Sequence, residues 1–266
     1  MTIREYTKED IPRLVELWEE AFGDRRSFIE AFYRMLPDMG SCTVGEEDGK
    51  IVAMANVLAG QELPHANSPK VPECGYLYAV AVDKDYRGRG FGAEITRAGY
   101  DLAVKREAWI ICTLPADDSL REFYKKTLDF ETALYRKKHE IAASDVEMTM
   151  QLNETEYNLM RENLLAGKTY LRLSYFAMDF LNVLCKEYGG GLFASMSGIC
   201  IAQKEGDTCY LHEVISQNPE QTAASVAFAL GCKKAVWYEP SETGEPFIMA
   251  EHGKIPLDAI WNIAYE

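Results

Sequence analysis

No CxxC pair occurs in the sequence, and its seven cysteines (Cys42, Cys74, Cys112, Cys185, Cys200, Cys209, Cys232) are scattered and odd in number. This argues against a thiolate zinc site and against a disulfide framework. Most of them sit in apolar runs such as "WIICTL" and "GICIA", where a thiol behaves as a small buried hydrophobe. Positive charge is also scarce. The chain carries 28 Lys and Arg against 42 Asp and Glu, a formal charge of −14. Up to residue 140 the counts are 20 against 25, and beyond it 8 against 17. Such a surface repels phosphate backbones, so nucleic acid is not an expected partner, whereas cationic small molecules or peptides are favoured. No run approaches the ~20 apolar residues of a membrane span, and "MTIREYTKED" has no apolar leader-like core. No low-complexity segment or flexible linker stands out. The expectation is a cytoplasmic protein with no metal and no membrane partner. A homo-oligomer is compatible with the sequence.

Several ordinary signals are present. At 266 residues, a prior of ~100–200 residues per domain gives one large domain or two modest ones. "IREYTKEDIPRLVELWEEAFG" predicts a short strand and a helix. Thr7 and Asp10 form a capping box, and Ile11, Leu14, Leu17, Trp18 and Phe22 recur at helical spacing. Ser27 is expected to cap a second helix that Pro37 and Gly40 terminate. "SCTVGEEDGKIVAMANVLA" predicts a hairpin across Glu47-Asp48-Gly49. Residues 60 to 73, with three prolines, read as a surface loop. Strand 75–82, a helix, the strand "AWIICTL", the helix "DSLREFYKKTLDF" and a strand near 130 to 140 follow. From about 146 the alternation repeats. Cys74–Val80 and Cys209–Val214 each precede a turn, a helix and an apolar strand, which reads as a diverged internal repeat.

The segment "AVAVDKDYRGRGFGAEI" carries the chemistry. An apolar strand runs into a turn with Gly88, Gly90 and Gly92 at alternate positions, and a helix starts there. Glycine permits φ > 0 and close approach of a ligand to the main chain. Successive N–H groups of such a turn point into one concavity, and the helix N-terminus adds roughly +0.5 of a charge. Together they make an anion site suited to phosphate. Residues 84 to 92 hold Lys84, Arg87 and Arg89 against a single acid, Asp85. A P-loop is excluded because no Lys-Ser or Lys-Thr follows the glycines. A dinucleotide fingerprint fails at its third glycine.

Arg87-Gly88-Arg89-Gly90-Phe91-Gly92 matches the [QR]-x-x-G-x-[GA] motif, and the chain resembles the GCN5-related N-acetyltransferases, the GNAT family. The "IR..T..D...L..LW...F" opening, the hairpin and "FYKKTLDF" extend the resemblance over the N-terminal part. It implies an α/β (α+β) fold with a mixed, mostly antiparallel sheet flanked by helices. It implies that the backbone of Val80, Ala81 and Val82 pairs with the pantetheine arm of acetyl-CoA, the acyl-donor cosubstrate. The N–H groups across Arg87, Gly88, Arg89, Gly90, Phe91 and Gly92 would hold the pyrophosphate. Tyr124 matches the tyrosine that lies by the thioester sulfur in many members. A phenol there can protonate the departing thiolate.

Other positions depart from the family. The place of a glutamate base is taken by Tyr76, which cannot serve as a carboxylate. Glu73 and His65 are nearby alternatives, and deprotonation through water is another. The usual Asn after the fifth strand has Asp117 as its nearest equivalent, and the usual glycine before the last Phe is Asp129. In the second half "SQNPEQT" has no glycine or arginine and puts Glu220 where phosphate would sit. His212 and Glu213, on the echo strand, read as packing residues. The expected organisation is therefore a GNAT domain with the acyl-CoA site over 1–145 and a degenerate GNAT-like domain over 146–266. That resembles the tandem acetyltransferases of the enhanced-intracellular-survival type. The expected function is acetyl transfer from acetyl-CoA to a primary amine on a small molecule or peptide. A non-catalytic CoA-binding module and a different acyl chain stay open.

Overall fold

The first helix begins on a reciprocal cap. Asp10 Oδ2 accepts from the Thr7 N–H at 2.7 Å and from its hydroxyl at 3.1 Å. Arg4 grips the same carboxylate with two bonds, NH1 to Oδ2 at 2.6 Å and NH2 to Oδ1 at 2.9 Å. These contacts tie strand β1 (Thr2–Glu5) to α1 (Ile11–Phe22), which buries Leu14, Val15, Leu17 and Trp18. The structure is a computed structural model that describes residues 1–63 and 71–261.

The second helix, α2 (Arg26–Met39), departs from expectation at both ends. Its N-cap is Arg25, without a side-chain cap, rather than Ser27. Pro37 lies inside its last turn, where the missing N–H forfeits one bond and the helix runs only to Met39. Gly40 then opens β2 (Gly40–Glu47) pressed against its neighbour strand, and a Cβ there would lie 2.1 Å from the Val57 carbonyl oxygen. The hairpin into β3 (Lys50–Glu62) turns through Asp48 and Gly49, at φ 51° and 75°. Two successive positive φ values fit the right-handed twist of the flanking strands. β3 and β4 (Glu73–Val82) run further into the expected loop than proline content predicts, and Glu62 pairs with Glu73. His65 lies outside the described residues. After β4 come a 3-10 turn (Lys84–Tyr86), α3 (Phe91–Lys105), β5 (Ile110–Thr113), α4 (Asp118–Leu128) and β6 (Glu131–Thr132).

The later chain forms β7 (Tyr135–Ala142), β8 (Thr149–Leu152), α5 (Glu154–Leu164), the two-residue β9 (Arg172–Leu173) and α6 (Tyr175–Glu187). β10 (Gly191–Ser195), β11 (Gly198–Glu205), β12 (Thr208–Ser216), α7 (Pro219–Ala229), β13 (Lys234–Ser241), β14 (Glu245–Pro246) and β15 (Met249–Ala250) complete it.

Two compact units result, and they are not the plain halves 1–145 and 146–266. The first comprises Met1–Glu62, Val71–Ala133 and Ile248–Ile255; the second includes Leu134–Phe247. The reason is strand pairing. β7 pairs along its whole length with β13, which draws residues from 135 onward into the second unit. β15 pairs with β5 and β6, which returns a late segment to the first. There Tyr100 donates to Glu251.

The first sheet reads β1-β2-β3-β4-β5-β15-β6, antiparallel except where β4 runs parallel to β5. The second reads β8-β10-β11-β12-β13-β7-β14, antiparallel except for the β12–β13 pair. Each parallel pair is joined by a helix, α3 or α7, so the internal repeat is a repeat of topology. In the first unit Val57, Leu77 and Ile111 pack against Leu102 of α3, with Tyr124 and Phe130 beside them. In the second, Cys200, Cys209 and Leu211 meet Ala223, Val226 and Ala227 of α7. All seven cysteines are free and buried. Among the described residues no helix is long and apolar enough to cross a membrane, and no group of three or more His, Cys, Asp or Glu could hold a metal.

Candidate active site

β4 parts from β5 midway. The parallel register runs Cys74–Ile110, Gly75–Ile111 and Tyr76–Cys112 and then stops, while β4 continues to Val82. A bulge accompanies the parting. Met54 pairs with Ala81 and Asn56 with Tyr78, so Ala79 and Val80 together face Ala55. Ala79 takes φ 47°, a conformation an L residue holds only under constraint. The Asp83 N–H still donates to Val52 O on the β3 side at 2.8 Å. Strand alternation then aims the backbone groups of Val82 at the opposite, unpaired edge. The Arg87 Nε–H meets Val82 O there at 3.0 Å. Among the described residues, β4 beyond Tyr76 pairs with no further strand on this side, over the stretch that holds Val80, Ala81 and Val82, and Arg87 meets the Val82 carbonyl there.

The turn after β4 is anchored from below. Asp83, 2% exposed, accepts from Arg13 NH2 at 2.6 Å, Lys50 Nζ at 2.7 Å and the Asp85 N–H at 3.0 Å. Burial raises its pKa, but hydrogen bonds from Lys50 and Asp85 and the charges of Lys50 and Arg13 hold it below the usual value. Nothing local in the sequence marks this residue, whose partners Arg13 and Lys50 lie 70 and 33 residues away. Gly88 and Gly90 sit at φ 78° and 86°, and a Cβ at either would enter open space. Among the described residues, the N–H groups from Gly88 to Ala93 meet no acceptor; the first inward bond of the helix start is Glu94 N–H to Gly90 O at 3.2 Å. A run of unmet donors at a helix N-terminus fits an anionic group. Arg87 and Arg89 are exposed beside it, Arg89 lying over the Tyr86 and Phe91 rings and 3.3 Å from Glu47 Oε1. The Phe91 side chain is buried. Gly92 would meet only ordinary contacts if it bore a Cβ.

Tyr124, 7% exposed, lies in the same unit, within the core cluster that contains Leu77 and Ile111. Thr113, the last residue of β5, donates from Oγ1 to Leu77 O at 3.0 Å. Burial pushes the Tyr124 phenol above its ordinary pKa, partly countered by the Thr113 side chain. The phenol therefore stays protonated at neutral pH beside the fork between β4 and β5.

Among the other candidates, only Glu73 is shown to lie away from the fork. Glu73 is exposed at the far end of β4, four residues before Leu77, or about 13 Å along an extended strand. Tyr76 is buried with its ring 6.2 Å from that of Tyr78. Asp117 caps α4 by accepting from the Leu120 N–H at 2.9 Å. Asp129 ends α4 at φ 57°, the left-handed conformation for which the family's glycine is suited.

The second unit repeats the fork without its fittings. β12–β13 pairing ends at Leu211–Trp237 while β12 runs on to Ser216. Trp237 is buried at that point, in the cluster under α7. α7 opens on Pro219 and exposed Glu220, and no residue from 217 to 220 has positive φ. No helix separates β13 from β14, so among the described residues nothing corresponds to Tyr124. Glu213, wholly buried, is bonded by Arg161 Nε at 2.8 Å, Arg161 NH2 at 3.0 Å and the Tyr157 hydroxyl at 3.0 Å. His212 Nε2 lies 2.9 Å from Gln203 Oε1.

Residues 2–133 match the family described as acetyltransferase (GNAT) domain. A conserved protein from Enterococcus faecalis is 13% identical over 94% of this chain and 72% of its own, at a TM-score of 0.71. A GCN5-related N-acetyltransferase from Anabaena variabilis is 14% identical over 94% and 72%, at 0.68. Eis1 from Mycobacterium abscessus is 10% identical over 89% of this chain and 65% of its own, at 0.62. At such identities the structures share the fold. No curated protein matches the chain in sequence.

Proposed function

We propose, from the membership of residues 2–133 in the GNAT family of acetyltransferases, that the chain transfers acetyl from acetyl-CoA to a primary amine at the fork of β4 and β5. The observation that carries this reading is the run of unmet N–H groups from Gly88 to Ala93 after a strand that, among the described residues, pairs with no further strand on its β5 side beyond Tyr76. Those donors, with Arg87, would hold the pyrophosphate, and the β4 edge at Val80, Ala81 and Val82 would pair with the pantetheine amides. In the reaction the lone pair of the neutral amine forms the C–N bond and the C–S bond breaks. Tyr124 gives its proton to sulfur, and the surplus amine proton passes through water to the phenolate. The acidic chain favours a cationic acceptor. Seven free, buried thiols fit a reducing cytoplasm.

A second reading, a CoA-binding module without turnover, draws support from the position of Glu73, remote from the fork. The two are separated by measuring thiol release from acetyl-CoA over an amine panel, with acetylated products identified by mass. Amine-dependent release supports transfer. Binding with no release on any amine supports the module. Absence of binding, with no thermal shift where 100-fold saturation should give ~2.7 kcal/mol, overturns both.

A further inference from the structure

Asn56 lies in the middle of β3, in the run "IVAMANVLA", and is wholly buried. Only half of its carboxamide is engaged. Nδ2–H donates to Ala79 O at 3.4 Å, while Oδ1 has no hydrogen-bond partner. The Tyr33 hydroxyl bonds the same carboxamide, yet Oδ1 itself stays unmet; an unmet buried acceptor is costly, and native structures keep few of them without a use.

Its place gives it one. Asn56 is the cross-strand partner of Tyr78 and bonds the bulge residue Ala79, where β4 leaves β5. Cross-strand partners share a face of the sheet. The Tyr78 ring packs 5.5 Å from Trp18 and 5.7 Å from Phe32, so this is the face covered by α1 and α2. Leu77 and Val57 alternate to the other face, where Tyr124 and α3 lie. The proton donor for the leaving sulfur and the unpaired Asn56 oxygen are thus on opposite faces at the same fork. An acyl transfer places its two partners in that way: the thiol leaves toward the acid, and the nucleophile arrives from elsewhere around the carbonyl carbon.

We infer that Asn56 Oδ1 accepts an N–H of the acceptor amine and holds it for attack at the bulge. This rests on the proposed acetyl transfer. A neutral carbonyl suits the task, because it aligns an N–H without stabilising the ammonium form as a carboxylate would. The lone pair of the neutral amine then forms the C–N bond as C–S breaks. Sulfur takes the Tyr124 proton, and one amine proton returns to the phenolate through water. The engaged half of the carboxamide has a separate task, to hold Ala79 in its left-handed conformation.

The test uses hydroxylamine, a small amine that is neutral at neutral pH, with acetyl-CoA and the full chain. Asn56→Leu removes both polar atoms while keeping the branching and the number of heavy atoms, and Ala79→Gly removes the need to hold the bulge. Expected for Asn56→Leu is an enzyme-dependent hydroxylamine rate lowered about 10- to 100-fold. Acetyl-CoA affinity should change by less than about threefold. Asn56→Leu/Ala79→Gly should remain as slow. Recovery of the rate in the double variant, or equal losses in rate and acetyl-CoA affinity, would show that Asn56 only supports the bulge. If Asn56→Leu does not fold, Asn56→Asp takes its place, and an unchanged rate and pH profile would overturn the inference. A wild type that binds acetyl-CoA but releases no thiol with any amine would remove the proposed transfer itself.

Discussion

Arg87 Nε donates to the carbonyl oxygen of Val82 at 3.0 Å, so the first residue of the glycine turn is fastened to the last residue of the strand before it. Among the described residues, both terminal nitrogens of the guanidinium are without a partner. Arg89, by contrast, is shared between Glu47 and the Tyr86 and Phe91 rings. The two arginines should therefore differ in worth. Arg87→Ala is expected to weaken CoA binding about tenfold or more, the loss of a charge-assisted contact. Arg89→Ala should cost about threefold or less, as for an exposed ion pair. Calorimetric titration of both variants with CoA checks the order; equal losses would contradict it.

Tyr124 sets the second prediction. Tyr124→Phe should lower kcat by ~10²-fold with little change in the KM for acetyl-CoA. The pH profile carries the sign of the buried phenol. Burial disfavours the phenolate and raises the pKa above 10, so the acid form persists throughout the neutral range. Activity should climb with pH as the amine loses its proton and should fall only above pH 10. A fall beginning near neutrality would assign the proton donor to another group.

Much of this site was legible because its chemistry is local. Glycines at alternate positions after an apolar strand, with arginines beside them, describe an anion turn within a dozen residues. Tyr124 needed only the "FYKKTLDF" string. What could not be read was long-range. Asp83 gains its meaning from Arg13 and Lys50, 70 and 33 residues away. The buried partner of Glu213 is Arg161, 52 residues distant on α5. The boundary at residue 145 failed for the same reason. "YRKKHEIA" has the pattern of a strand but nothing local that names its partner, β13.

Asp129 marks where a local rule is broken at measurable cost. Its φ of 57° ends α4 in a conformation glycine adopts freely. Asp129→Gly should stabilise the protein by about 0.5–1 kcal/mol, raising its melting temperature by roughly 1–4 °C. Acetyl-CoA binding should not change. A lowered melting temperature would mean that the Asp129 side chain makes a contribution that its backbone conformation hides.

One unit is expected to bind acetyl-CoA, and the other, its topological copy, is not. The first supplies unmet N–H groups at Gly88 to Ala93. The second supplies Pro219, Glu220 and a buried Trp237 at its fork. Isothermal titration of the intact chain with acetyl-CoA tests this most directly, with Gly90→Glu beside it to place a carboxylate among the free donors. The expected result is one molecule bound per chain by the wild type and none by the variant. Two molecules per chain, or one that survives Gly90→Glu, would contradict it.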